Sequence, residues 1–280
     1  MARQEFVDFA RGRSIMESMD PVIALLTDFG TRDHYVACMK GVILQINPRA
    51  IIEDITHEIN PQDIYHGAFV LRQCLPWFPP KTIFVAVVDP TVGTNRRILA
   101  ARYSDRYVLA PDNGLLTLVH RDAVLQGVRS VENHQYFAAQ VSRTFHGRDI
   151  FAPVAAHLSK GVAFDHLGPV VDRMEVLSLS RPRIHPDGTV DGEVVLIDHF
   201  GNLITNIAVT DLTAANIRRH HLHVTVGETV IGPLRDSYAD VPPGQPVALL
   251  GSSQMLEIGI NGGNAAKTLG GARGTPVILR

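Results

Sequence analysis

The stretch at residues 82–97, TIFVAVVDPTVGTNRR, decides how the chain is read. Its apolar run, residues 83–88, stops at Asp89. A proline and a Thr-Val-Gly-Thr turn follow, then Arg96 and Arg97. An unbroken apolar run bounded by turn residues is the pattern of a strand buried on both faces. In open α/β sheets, ligands collect outside the carboxyl ends of such strands. Asp89 therefore stands where a catalytic or binding carboxylate is found, with a permanent cation, Arg96, seven residues on. Taken alone, the same Asp reads equally well as a strand-end residue that starts a turn.

Upstream, residues 22–26 form a short apolar strand that ends in Thr27-Asp28-Phe29-Gly30. From Asp33 an amphipathic pattern (Tyr35, Val36, Met39, Val42, Ile43, Ile46) predicts a helix that stops at Asn47-Pro48. Residues 50–55 read as a strand. Asn60-Pro61-Gln62-Asp63 opens a second helix through Ala68, Val70, Leu71 and Cys74, ended by Pro79 and Pro80. Strand–helix–strand–helix–strand is the signature of a parallel sheet with covering helices.

Downstream, strands at 98–103 and 107–110 are joined by Ser104-Asp105-Arg106, a hairpin-length loop. Pro111-Asp112-Asn113-Gly114 leads into a short helix with Leu115, Leu116, Leu118 and Val119. Thr144-Phe145-His146-Gly147-Arg148-Asp149 precedes another helix at 150–158. The expectation is an α/β domain with a mixed, largely parallel sheet over residues 21–180. A turn-rich joint at 181–188 follows, then a smaller antiparallel β-rich, barrel-like domain over 189–280. Its strands are expected at 192–197, 222–226, 247–250, 265–269 and 277–279, separated by frequent Gly and Pro.

At 280 residues, with 19% charged and 45% hydrophobic residues and a formal net charge of −2, the balance is that of a globular protein. No basic surplus suggests nucleic acid as a partner. Cys38 and Cys74 lie in apolar helical patterns and read as buried free thiols. No apolar run approaches the ~20 residues of a membrane span. Residues 1–20 lack the apolar core of a secretory signal and read as a poorly ordered extension, so a cytoplasmic location is expected.

Four turns carry the polar chemistry: Asp28 in TDFG, Asp89 with Arg96, His146 in TFHGRD, and Asn202 in DHFGN. No HExxH or CxxC pattern supports a metal site. His220, His221 and His223 cluster without a nearby carboxylate or cysteine, as on a solvated edge. GxSxG, P-loop and GxGxxG motifs are absent. What remains is activation of water, or recognition of a cationic or hydroxyl-rich small molecule. Asp28 suits a ribose diol and equally suits capping the next helix. His57, in DITHEI, has no evident partner and reads as packing.

The set TDFG, DITHEI, VVDPTVGTNRR, APDNGLLT, TFHGRDIFAP, DHFGN and GSSQMLEIGINGGNAA resembles the S-adenosyl-L-methionine (SAM) hydroxide adenosyltransferases, or SAM hydrolases, homologues of the bacterial fluorinase and chlorinase. The resemblance covers residues 21–280. It implies an α/β N-terminal domain, a β-rich C-terminal domain and a homotrimer. Active sites would lie between the N-terminal domain of one subunit and the C-terminal domain of its neighbour. The implied reaction is SAM plus water giving adenosine plus L-methionine, with SAM as substrate and no cofactor. By the same matching, Asp89, Arg96 and His146 form the catalytic set. Asp28 binds the ribose hydroxyls, Asp33 the methionine amine and Asn202 the adenosine portion. Ser252, Glu257 and the backbone from Ile260 to Gly262 line the adenine and methionine ends. Halogenating relatives carry hydroxylated residues in place of the Asp–Arg–His set, and a long insertion where only Ser104-Asp105-Arg106 stands here. Both features favour the hydrolase over a halogenase; a non-catalytic SAM or adenosine sensor is the other alternative. One departure is Thr91, where the family has Gly. It crowds the turn if that position needs φ > 0, or supplies an extra hydroxyl.

Overall fold

A computed structural model of the 280-residue chain describes residues 21–214 and 223–280. The expected N-terminal extension, and His220 and His221 of the histidine cluster, lie outside the described residues. His223 is exposed. The chain divides into two compact units, the first ending at Leu177 and the second beginning at Ser178.

The first unit runs β1 (Val22–Thr27), α1 (Tyr35–Ile46), β2 (Ile51–Thr56), α2 (Ile64–Cys74), β3 (Ile83–Val87), β4 (Ile98–Tyr103), β5 (Arg106–Pro111), α3 (Thr117–Asp122), β6 (Leu125–Ser130) and α4 (Ala152–Ser159). The sheet order is β2-β1-β3-β5-β4-β6. Pairings β1–β2, β1–β3 and β3–β5 are parallel, while β4–β5 and β4–β6 are antiparallel, so the sheet is mixed and largely parallel. β6 was not expected from the sequence. Its LQGVRS run is neither continuously apolar nor strictly alternating, as befits the last strand of the sheet, bordered beyond β4 only by a short bridge to Val170 among the described residues.

Every residue of β3 is buried. Its odd-numbered side chains join a core built from Ile23 and Leu25 of β1, Met39 and Ile43 of α1, and Ala152, Ala155 and Ala156 of α4. Successive side chains point to opposite faces. On the other face α2 packs close: a Cβ at Gly67 would stand 3.0 Å from Val88 Cγ2. Asp63 caps α2 by accepting the His66 amide at 3.0 Å. The helix ends earlier than Pro79 and Pro80 suggest, because Pro76 turns Leu75–Trp77 into a 3₁₀ turn. β4 and β5 meet through a two-residue turn, with Ser104 at φ +52. Lys81 donates its backbone N–H to Asp105 O at 2.7 Å, so this turn sits at the edge where β3 begins.

The second unit contains β7 (Arg183–Ile184), β8 (Val190–Ile197), β9 (Leu203–Ala208), α5 (Val209–Ala214), β10 (His223–Val226), β11 (Thr229–Arg235), β12 (Pro246–Leu250), β13 (Met255–Ile260), α6 (Ala265–Leu269) and β14 (Pro276–Leu279). β14-β10-β11-β12-β13-β9-β8 form a continuous series, and the β14–β8 pairing closes it into a seven-stranded barrel with β7 paired outside on β8. Closure leaves the seven strands without a free edge. Val190, Val194, Leu203, Ile207, Val224 and Leu256 fill its interior with their neighbours. One pairing, β11–β12, is parallel, so the barrel is not wholly antiparallel. Residues 265–269 are a helix and not the expected strand. Asn264 accepts the Lys267 amide at its start, and Gly270 ends it at φ +64, so local capping outweighs a short apolar run.

Candidate active site

β3 delivers Asp89 to the carboxyl edge of the sheet. Asn113 Nδ2 donates to Val88 O at 2.8 Å and fixes the strand end. The turn then folds back on itself: Thr94 donates both its backbone N–H (3.2 Å) and its hydroxyl (2.8 Å) to Thr91 O. That reversal returns Arg96 to Asp89. Arg96 Nε donates to Asp89 Oδ2 at 2.8 Å, and Nη2 donates to the same oxygen. Their side chains are only 8% and 4% exposed, so the two charges depend on each other. Thr91 is not among the non-glycine residues at positive φ, so it does not strain the turn. Its hydroxyl donates to Asp89 Oδ1 at 3.3 Å, which is the extra-hydroxyl alternative.

Gly93 explains how a distant loop reaches this turn. It sits at φ +79, and a Cβ there would stand 2.3 Å from Arg143 O. The close approach seats the loop before α4 against the turn, and His146 Nδ1 comes to 2.9 Å from Arg96 Nη2. A guanidinium has no acceptor, so Nδ1 accepts and any ring proton of the neutral imidazole is on Nε2. Burial, and then the Arg96 charge, lower the His146 pKa; Asp89 and Asp149 act in the opposite sense.

The loop is braced by a residue that the sequence reading did not single out. Asp149, 1% exposed, accepts the Ser142 N–H at 2.8 Å and Arg148 Nε at 2.6 Å. Burial alone would raise this carboxyl, but the Arg148 and Ser142 hydrogen bonds outweigh it and hold it below its ordinary value. A π-helical turn, Gly147–Phe151, follows His146 directly. Such turns recur at functional sites because they re-aim side chains within a helix.

Asp28 follows β1 and accepts the Gln62 amide on Oδ2 at 2.8 Å. Its neighbour Phe29 packs edge-on to Phe145, centroids 6.0 Å apart, and Tyr35 meets Phe145 at 5.1 Å. A Cβ at Gly147 would press on Phe29 at 3.2 Å, so glycine lets these rings close up. The ring cluster brings the Asp28 turn and the His146 loop together. Asp33 is exposed in the connection to α1. A cleft of about 440 Å³ opens beside the turn, lined by Thr91, Arg96, Asp112 and Asn113 among others. A cavity of about 480 Å³ at the opposite edge, lined by Ile83, Tyr107 and Phe164, has no carboxylate or imidazole in its wall.

In the barrel, Asn202 and Glu257 belong to one network. Asn202 Nδ2 donates to Asp198 Oδ2 at 2.9 Å and to Tyr238 Oη at 3.2 Å, and Tyr238 donates its hydroxyl to Glu257 Oε1. Burial, and then the nearby Asp198 charge, push the Glu257 carboxyl up to about 6. Asp198 was within reach of the sequence reading, as the first residue of DHFGN. Tyr238 was not: it arrives on the connection that the parallel β11–β12 pairing requires. Ser252 and Gly262 are exposed, whereas the Ile260 side chain faces the barrel core, 5% exposed, leaving only its backbone for a ligand. His57 is not simply packing; Nδ1 lies 2.8 Å from Thr27 Oγ1. Among the described residues no group of three or more His, Cys, Asp or Glu is placed to hold a metal ion.

The chain is similar to several known proteins. A protein of Thermus thermophilus named (R)-S-adenosyl-L-methionine hydrolase is 39% identical over 268 residues, covering 93% of this chain and all (100%) of that one. A fluorinase of Actinoplanes sp. is 30% identical over 272 residues, covering 86% and 91%. The crystal structure of an uncharacterized conserved protein from Thermotoga maritima matches with a TM-score of 0.86 and 38% identity, covering 92% of this chain and 99% of that one. The SAM hydroxide adenosyltransferase N-terminal domain matches residues 23–168 and the C-terminal domain residues 192–278. With both domains matched in order over most of its length, this chain belongs to the SAM hydroxide adenosyltransferase family.

Proposed function

We propose that the protein is a SAM hydrolase that converts SAM and water into adenosine and L-methionine. The observation that carries this reading is the buried chain Asp89–Arg96–His146 at the carboxyl edge of β3. The leaving group is a neutral thioether, so no general acid is needed. The difficulty is the nucleophile, because water has a pKa of about 15.7. Asp89 is the base: Oδ2 is held by Arg96, and Oδ1 accepts the Thr91 hydroxyl. Water oxygen attacks C5′ in line, the C5′–S bond breaks with its electron pair going to sulfur, and the water proton passes to Asp89. Arg96 cannot act as the base, since its pKa exceeds about 12. It orients Asp89 and stabilises the developing hydroxide. His146, neutral and held through Nδ1, offers Nε2–H to the water or carries the proton outward. Positioning alone can supply on the order of 7–11 kcal/mol, so a modest base suffices.

A halogenase is the competing activity. A halide needs uncompensated positive charge or neutral donors, but here the guanidinium is already neutralised by a buried carboxylate that repels anions. Asp28 takes the ribose hydroxyls and Asp33 the methionine amine. Asn202, Ser252, Glu257 and the backbone from Ile260 to Gly262 line the rest of the substrate. No cofactor takes part. The second unit would serve the site of a neighbouring subunit in a homotrimer; the 71% exposure of Phe200, two residues before Asn202, supports a covered face there. No helix among the described residues is long and apolar enough to cross a membrane, and we place the enzyme in the cytoplasm. Incubating purified protein with SAM, with and without chloride, and identifying products by mass spectrometry tests the activity. Adenosine and methionine are expected in equal amounts in both arms. A 5′-chloro product, or bound SAM with no methionine released, would overturn the reading.

A further inference from the structure

We infer that His57 is a positioning residue for the substrate-binding turn, holding Asp28 in place from both sides. This rests on the reading of Asp28 as the ribose ligand. His57 is 3% exposed and follows β2, away from the Asp89 chain. Its Nδ1 lies 2.8 Å from Oγ1 of Thr27, the residue immediately before Asp28. That oxygen already accepts the Phe29 amide at 3.2 Å, which leaves the hydroxyl proton for Nδ1. On the other side of Asp28, the His57 carbonyl accepts the Gly30 amide at 2.8 Å, with Gly30 at φ +67. One residue thus grips the turn through its ring before Asp28 and through its backbone after it.

The ring is itself anchored. Nε2 lies 3.0 Å from Asp54 Oδ1, in charge-contact range though off hydrogen-bond alignment. Asp54 Oδ2 accepts Lys40 Nζ at 2.6 Å, so a residue of α1 steadies the far end. Burial favours the neutral Asp54 carboxyl, yet the Lys40 and His57 contacts prevail and lower its pKa, so it stays ionised beside the ring. Thr27, His57 and Asp54 have the order of a nucleophilic triad, but Thr27 is fully buried (0% exposed) and cannot meet a substrate. The arrangement is one of support, of the kind by which an outer group fixes a binding side chain.

Since Asp28 contacts the ribose alike in the ground and transition states, loosening it raises KM and spares kcat. His57→Leu is expected to raise KM for SAM roughly tenfold, the loss of one buried hydrogen bond, with kcat within about threefold. His57→Asn, whose amide can stand where Nδ1 stood, should restore most of the affinity. Thr27→Val, similar in shape and lacking the hydroxyl, should reproduce the KM defect should His57→Leu fail to fold. Asp28→Ala/His57→Leu should bind SAM no worse than Asp28→Ala alone. Additive KM defects in the double variant, or a fall in kcat at unchanged KM in His57→Leu or Thr27→Val, would overturn the positioning role. An unchanged KM in Asp28→Ala would instead show that Asp28 is not the ribose ligand and would remove the basis of the inference.

Discussion

Arg96 Nη2 donates to His146 Nδ1 at 2.9 Å while the same guanidinium holds Asp89 through Nε. The cation therefore sets the tautomer of the histidine and the orientation of the carboxylate together. In an NMR titration, the His146 imidazole is expected to take up its second proton below the ordinary value of 6.5, since burial and Arg96 both disfavour the cation. Arg96→Gln should raise that midpoint, and a midpoint unmoved by the substitution would mean the contact is not made in solution.

In the proposed mechanism Asp89 and His146 act on the water and not on SAM binding. Asp89→Asn is expected to lower kcat about 10²–10⁴-fold with KM for SAM changed only a few-fold, the range for loss of a general base. His146→Ala should fall in the same direction and to a smaller extent. Steady-state adenosine formation measures both, and near-normal turnover in both variants would remove the water-activating set.

Thr91 gives this turn a hydroxyl on the oxygen of Asp89 that Arg96 leaves free. At 3.3 Å it is a long bond, worth no more than about 1 kcal/mol. Thr91→Ser should keep kcat, and Thr91→Gly should change it by less than about tenfold. A hundredfold loss in Thr91→Gly would promote the hydroxyl to an essential partner of the water.

Glu257 makes the stability of the barrel unit depend on pH. Its folded pKa of about 6 lies above its ordinary 4.5, so the folded state binds the proton more tightly. The stabilisation is complete below pH 4.5 and is lost as pH rises through about 6, amounting to about 2 kcal/mol. Urea unfolding of the wild type and Glu257→Gln at pH 4.5 and pH 7.5 should show a smaller fall in the variant. Equal falls would mean that Glu257 titrates normally.

Gly201 carries the turn that presents Asn202. It sits at φ +87, and an added Cβ would stand 2.0 Å from Asn264 Nδ2. Gly201→Ala should destabilise the barrel unit by about 1–3 kcal/mol. It should also weaken SAM binding, while Gly188→Ala, at φ +87 with open space around it, should cost less and leave binding alone.

What the sequence made legible follows from which forces are local. β3 and its terminal Asp89 were plain because burial on both faces leaves an unbroken apolar run. α1 and α2 were plain from their period and from the residues that end them. β6, β9, β11 and β13 were harder: an edge strand, and barrel strands with one face inside, do not share one pattern. Residues 265–269 were misread because five residues are too few for period to separate strand from helix, and the Asn264 cap decided the matter. In the site, Asp89 and Arg96 lie close in sequence, and the shared motifs brought in His146. The supports of Asp28 and Asn202, namely His57 and Tyr238, stayed hidden because each comes from a separate segment through a tertiary contact.

The short turn at Ser104 and Asp105, where the resemblance implies an insertion in halogenating homologues, lies at the edge where β3 begins, whereas Asp89 lies at the edge where β3 ends. Within one subunit, a change in the length of that turn therefore acts at the far end of the strand from Asp89.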